Sequence, residues 1–231
     1  MKNNFPISED KARNVYNALT LPVNQGGRFG YAKEKVQASF LRQELPLRNN
    51  QSTYAFDFQP KNGSKPTERL LQRTDNFHML GLGLLLAVEN KNKPGSAPLL
   101  AYPQLFEVQK LIASGTAIGG IADPDVRDLN AIYNGILAIK QVSTEVVSDV
   151  DTRRFYVVPS TQENGINDRS EANYADGIIS IEPQPILVGK DSNALTVTIP
   201  TWPGIALQSN RADWEINLVA YAVGYRILGV N

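Results

Sequence analysis

Apolar and polar residues along this chain follow two different grammars. At the start, Ser8 precedes Glu9, Asp10 and Lys11, and Ala12, Val15, Tyr16 and Leu19 then recur at helical spacing. This predicts a short amphipathic helix with Ser8 as its cap, acids favourably placed in its first turn, and Pro22 as its stop. Asn24-Gln-Gly-Gly-Arg-Phe-Gly-Tyr reads as an extended or turning linker, and Ala32 to Leu41 suits either a second helix or an extended arm.

Beyond residue 50 the pattern changes to short β-rich runs punctuated by Pro, Gly, Asn and Asp. Strands are predicted at Tyr54–Phe58, Phe77–Glu89, Leu99–Tyr102, Gly135–Val147, Arg153–Val158, Gly177–Ile181, Ile186–Val188, Ala194–Ile199 and Trp214–Leu228. Leu195-Thr-Val-Thr-Ile places apolar residues on one face and threonines on the other, as a half-buried strand requires. Gln104 to Ile132 interrupts the series: Leu105, Val108, Leu111 and Ile112 suit a short helix, Gly115 to Ile121 an apolar loop, and Asp125 to Ile132 another helical turn. Many strands, few helices and no regular βα alternation predict a mainly β chain built as a sandwich or barrel.

Composition narrows the classes. The 231 residues include 42% hydrophobic side chains, enough for an ordinary core, and no Cys, which excludes disulfides, thiolate metal sites and a cysteine nucleophile. Charges balance at 23 basic and 23 acidic residues, so no general attraction to nucleic acid or anionic membrane is expected. The first 48 residues are mildly basic, with eight cations against four acids, and we read their partner as protein. The start lacks the uninterrupted apolar stretch of a secretory signal, and the longest apolar run, Met79 to Val88, is too short for a membrane-spanning helix, so a soluble protein is expected.

Candidate chemistry is sparse. His78 is the sole histidine and would need Asp75 or a distant acid to orient it as a base; no nucleophile elbow accompanies it, and a strand-end histidine bonded to backbone is the simpler reading. Asp123-Pro-Asp-Val-Arg-Asp lacks the Gly and terminal Glu of a calcium loop and reads as a helix start. Glu163, Asp168, Glu171 and Asp176 read as a solvated loop. Gly115-Thr-Ala-Ile-Gly-Gly has no Lys-Ser or Lys-Thr behind it, and Gly81 and Gly83 more simply allow close packing on an apolar strand.

The runs Arg73-Thr-Asp-Asn-Phe-His-Met-Leu-Gly-Leu-Gly-Leu, Leu99-Leu-Ala-Tyr-Pro-Gln-Leu-Phe, Tyr133-Asn-Gly-Ile-Leu-Ala-Ile, Tyr156-Val-Val-Pro-Ser-Thr-Gln and Ile181-Glu-Pro-Gln-Pro-Ile-Leu-Val-Gly give residues 70–230 a style that resembles bacteriophage virion structural proteins. The resemblance implies an antiparallel, jelly-roll-like β-sandwich over residues 49–231, with an insertion near 104–132, behind a helical and extended N-terminal arm of residues 1–48. It implies a capsid or head-decoration subunit, residing in the virion and made in the host cytoplasm, that is not an enzyme and has no catalytic, cofactor-binding or metal-binding residues. Its partners would be copies of itself and other virion proteins, with no membrane and only weak nucleic-acid contact. Arg28, Phe29, Tyr31, Arg42 and Trp202 are the candidate subunit-contact residues. The alternative is a carbohydrate- or receptor-binding β-sandwich using Tyr102, Trp202 and the 160–176 loop; a third reading is a hydrolase using His78 with Asp75.

Overall fold

A computed structural model of the chain describes residues 7–61, 63–101, 126–157, 174–209 and 212–230. Helix α1 spans Glu9–Thr20, as its spacing predicts. Its first intrahelical bond runs from the Ala12 N–H to the Ser8 carbonyl at 3.1 Å. The Ser8 hydroxyl itself caps nothing, so Glu9 and Asp10 are the groups that complement the exposed N–H end. Leu21 turns to extended backbone and Pro22 ends the helix.

Nine strands follow among the described residues: β1 Val36–Pro46, β2 Thr53–Phe56, β3 Asn76–Asn90, β4 Ile136–Gln141, β5 Thr144–Asp151, β6 Ile178–Ser180, β7 Ile186–Val188, β8 Asn193–Thr198 and β9 Trp214–Ile227. A short helix, α2 (Val126–Leu129), and a 3-10 turn precede β4. Every pairing is antiparallel. The first sheet has the order β1-β9-β3-β6, with β7 also on the free side of β3; the second has the order β2-β8-β4-β5. The chain is therefore mainly β, as expected, with two antiparallel sheets whose inner faces share one core: Leu41, Phe77, Leu84 and Leu218 from the first meet Phe56, Leu137, Leu195 and Val197 from the second.

The apolar run of β3 is buried on both faces. Phe77 and Met79 point into the shared core; a bulge between Met79 and Gly81 then shifts the phase, so that Leu82, Leu84, Leu86 and Val88 point inward. On the other face Leu80 packs with Ala12 and Leu19 of α1, while Leu85 and Ala87 pack with Ala101 and Val219. Each fully buried Leu contributes about 1.5–3 kcal/mol, which is why so apolar a strand sits where two layers cover it. The reading of Gly81 as a close-packing residue agrees with the geometry, since a Cβ there would lie 2.9 Å from the Ile179 carbonyl of β6.

Four expectations change. Ala32–Leu41 forms no second helix: a 3-10 turn at Lys33–Lys35 leads directly into β1, which pairs with β9 along its whole length, so residues 36–46 belong to the first sheet. Gly135–Val147 is a hairpin, turning at Val142 and Ser143. Arg153–Val158 begins as a 3-10 turn at Thr152–Phe155, because Asp151 accepts the Arg153 N–H at 2.8 Å and draws the backbone round. Leu99–Tyr102 is represented by a single bridge between Leu100 and Leu86. The predicted Leu105–Ile112 helix, the Gly115–Ile121 loop and the loop holding Glu163, Asp168 and Glu171 lie outside the described residues, as do Tyr102, Asp123 and Asp125.

Candidate functional site

Three of the five predicted contact residues come together. After Pro22 the chain turns back on α1: the N–H groups of Arg28 and Phe29 donate to the Ala18 carbonyl at 2.7 and 3.3 Å, and that of Tyr31 to the Leu19 carbonyl at 2.8 Å. Gly27 makes the return possible, because a Cβ there would lie 1.7 Å from the Leu21 carbonyl. Phe29 and Tyr31 stack at 5.6 Å with planes 7° apart, and the Arg28 guanidinium lies 5.5 Å from the Phe29 centroid. Trp202 is elsewhere, 41% exposed on the turn after β8. Arg42 lies on β1 and belongs to a different group.

That group is a charged network on the outer face of the first sheet, which sequence reading missed. Glu89 of β3 stands directly across from Glu215 of β9, and Glu44 comes from β1. Like charges in opposed positions repel. The Lys65 ammonium sits among them, 2.6 Å from Glu89, 3.4 Å from Glu44 and 3.5 Å from Glu215. Arg42 holds Glu44 at 2.7 Å and Arg48 reaches Glu215 at 3.3 Å. The Thr67 hydroxyl donates to Glu44 at 2.8 Å, and Asn217, with its amide oxygen toward Lys65 and nitrogen toward Glu215, closes the network at 2.9 and 3.3 Å. Burial pulls the Lys65 ammonium down, but the Glu89 hydrogen bond and the charges of Glu44, Glu89 and Glu215 outweigh it and hold it above its ordinary 10.5. The sequence signal was slight: Glu89 and Glu215 are lone acids in mostly apolar stretches, and Glu44 lies in the mixed run Arg42-Gln-Glu-Leu. Chemically the network is a clamp: its acids accept from its own cations and N–H groups, and it ties β1, β9 and β3 to the 65–68 segment.

The proposed histidine–aspartate pair does not assemble as a catalytic dyad. Asp75 accepts from the Arg226 Nε at 2.7 Å, the Gly229 N–H at 3.1 Å and the Thr74 hydroxyl at 3.0 Å. Burial raises its carboxyl, yet these bonds and the Arg226 charge outweigh that and hold it below its usual value. His78 is buried, and its Nδ1, the atom an orienting acid would hold, has no hydrogen-bond partner. Desolvation holds the imidazole below its ordinary 6.5, assisted by the Arg28 charge; a hydrogen bond with Gln184 and the Glu182 charge oppose it. Glu182 itself is bound by Lys11 of α1.

A second feature of β1 bears on contacts. Phe40 is exposed on the outer face and stacks on Tyr221 of β9 at 5.1 Å, with planes 8° apart. Ala38 and Gln37 beside it are also exposed. Among the described residues no group of three or more His, Asp or Glu is placed to hold a metal, and no helix is long and apolar enough to cross a membrane. A recess of about 150 Å³ beside the charged network is lined by Arg48, Lys91, Ser209 and Trp214, with Lys91 tied to the Ala212 carbonyl at 2.9 Å. Comparison with protein-family models, with curated proteins and with solved structures finds no match for this chain.

Proposed function

We propose that this chain is a structural subunit of the virion type, a capsid or capsid-associated protein with a jelly-roll-like β-sandwich that works by holding neighbouring subunits. The observation that carries this reading is the strand order. If β6 and β7, which share one side of β3, are counted as a single broken strand, the described residues form eight strands, in the order first-last-third-sixth in one sheet and second-seventh-fourth-fifth in the other. Two Greek keys wound together produce that order, and it recurs in viral capsid and lectin domains. The phage-virion resemblance of the sequence favours the capsid member of that pair, and so does Phe40, exposed on the edge strand β1 and stacked on Tyr221 of its neighbour β9. The fold alone does not assign an activity.

Light scattering and negative-stain electron microscopy of the purified protein test it. Rings, shells or a discrete oligomer are expected; a monomer at every concentration overturns it. The carbohydrate-binding reading is favoured by one observation, the exposed indole of Trp202, and predicts a discrete monomer or trimer whose glycan-array signal disappears in Trp202→Ala.

A further inference from the structure

We propose that the open half of β1 is a self-pairing edge: two copies of the chain join β1 to β1 antiparallel about a two-fold axis through Ala38, merging their first sheets into one. This deepens the structural-subunit reading and rests on it.

The direction of the backbone groups sets the geometry. Arg42 exchanges two hydrogen bonds of 2.9 Å with Arg69, on the side of β1 away from β9. Residues two apart in a strand point their N–H and C=O the same way, and β1 pairs with β9 without a register shift, so Phe40 and Ala38 face that same side. Among the described residues nothing pairs with them there. The Val36 N–H is taken by the Lys33 carbonyl, which leaves the Val36 C=O as the last free group on this side. Antiparallel pairing about Ala38 sets the two Ala38 residues opposite each other, exchanging two bonds. Each Phe40 N–H then donates to the Val36 carbonyl of the second copy.

The other edges are protected and this one is not. β5 carries Glu145, Asp149 and Asp151 and has two register shifts against β4. β2 has four residues, and β6 and β7 have three each, with Pro183 and Pro185 between them. Val36-Gln-Ala-Ser-Phe has no charge, no proline and no bulge. An edge of that kind is a template for another strand. A second copy is the occupant because the flanks are complementary under the same two-fold: exposed Glu34 of one copy comes up against exposed Arg69 of the other, which fills the place opposite Arg42, while Lys35 is turned away onto the Gly229 carbonyl at 3.4 Å. Each dimer has that acid–base pairing twice.

The chain has no Cys, so cross-linking reports on a single introduced residue. Hydrogen-bonded antiparallel partners lie about 5.5 Å apart at Cα, within the range a disulfide spans. Oxidised Ala38→Cys is expected to run as a covalent dimer on a denaturing gel, and Ala55→Cys, exposed on β2, is expected to associate like the parent without cross-linking. Ala38→Pro, which an edge strand tolerates where the N–H faces outward, is expected to keep its circular dichroism and lose the dimer. If Ala38→Cys stays uncross-linked, or Ala38→Pro associates like the parent while remaining folded, the edge proposal falls and the structural-subunit reading stands. A parent chain that is monomeric at every concentration overturns both.

Discussion

Lys65 and Lys140 each pair with glutamate on the outer face of a sheet, yet they belong to different kinds of surface. Lys65 lies among three acids on the first sheet, under the folded 65–68 segment, with 23% of its side chain exposed; Lys140 of β4 meets Glu145 across the hairpin at 3.4 Å and is 53% exposed. The first sheet has a second layer over it: α1 at one end, Ala97 to Ala101 farther along, and the charged network at the other end. The second sheet turns Thr53, Thr198, Ile136 and Lys140 to solvent. Burial on both faces makes the first sheet the mechanical centre of the chain, and among the described residues that layering stops at part of the β1 edge.

The largest effect expected from breaking this contrast is Lys65→Ala. Removing the cation leaves buried Glu89 without a counter-charge, facing Glu215, while Glu44 and Glu215 keep only Arg42 and Arg48, and should cost about 3 kcal/mol, whereas Lys140→Ala should cost less than about 0.5 kcal/mol; urea midpoints of the two variants decide it. Next, Leu80→Ala opens a cavity between β3 and α1 and should cost about 3 kcal/mol, with hydrogen exchange rising first in α1. A third test uses pH. His78 titrates below 6.5 in the folded chain, so the unfolded state binds more protons there. Stability should therefore be full above pH 6.5 and fall as pH drops through the window beneath it. That slope should disappear in His78→Gln, and with one histidine in the chain the ring resonances follow it directly. Asp75, held below 3.8, contributes only at more acid pH. The smallest effect is a gain. Val142 sits exposed in the β4–β5 turn at φ 56°, a left-handed conformation costly for a β-branched residue, so Val142→Asn should stabilise by about 1 kcal/mol. No change in the urea midpoint would contradict that reading of the turn.

The same contrast explains what the sequence disclosed. β8 and most of β2 were legible because one face is wet and one dry, so Leu195-Thr-Val-Thr-Ile alternates; α1 was legible because its single buried face repeats at helical spacing and Pro22 stops it. β1 was not, because its outer side chains meet three environments in turn: Val36 under α1, Phe40 in solvent and Glu44 in the network. No single period describes that strand. The hairpin was hidden because Val142 is no turn residue. The network was invisible because Glu44, Lys65, Glu89 and Glu215 come from four separate segments, and only the pairing of β1, β9 and β3 brings them together. Of the predicted contact residues, Arg28, Phe29 and Tyr31 come together because they are neighbours in sequence; the stacking of exposed Phe40 on Tyr221 required the sheet.

Residue-resolved amide hydrogen exchange across β1, at dilute and at assembling concentrations, tests the central claim most directly. The account predicts that Leu41 and Gln43, bonded to β9, are protected throughout, while Ala38 and Phe40 exchange freely when dilute and gain protection as copies associate. Ala38 and Phe40 exchanging freely in the assembled protein would contradict it.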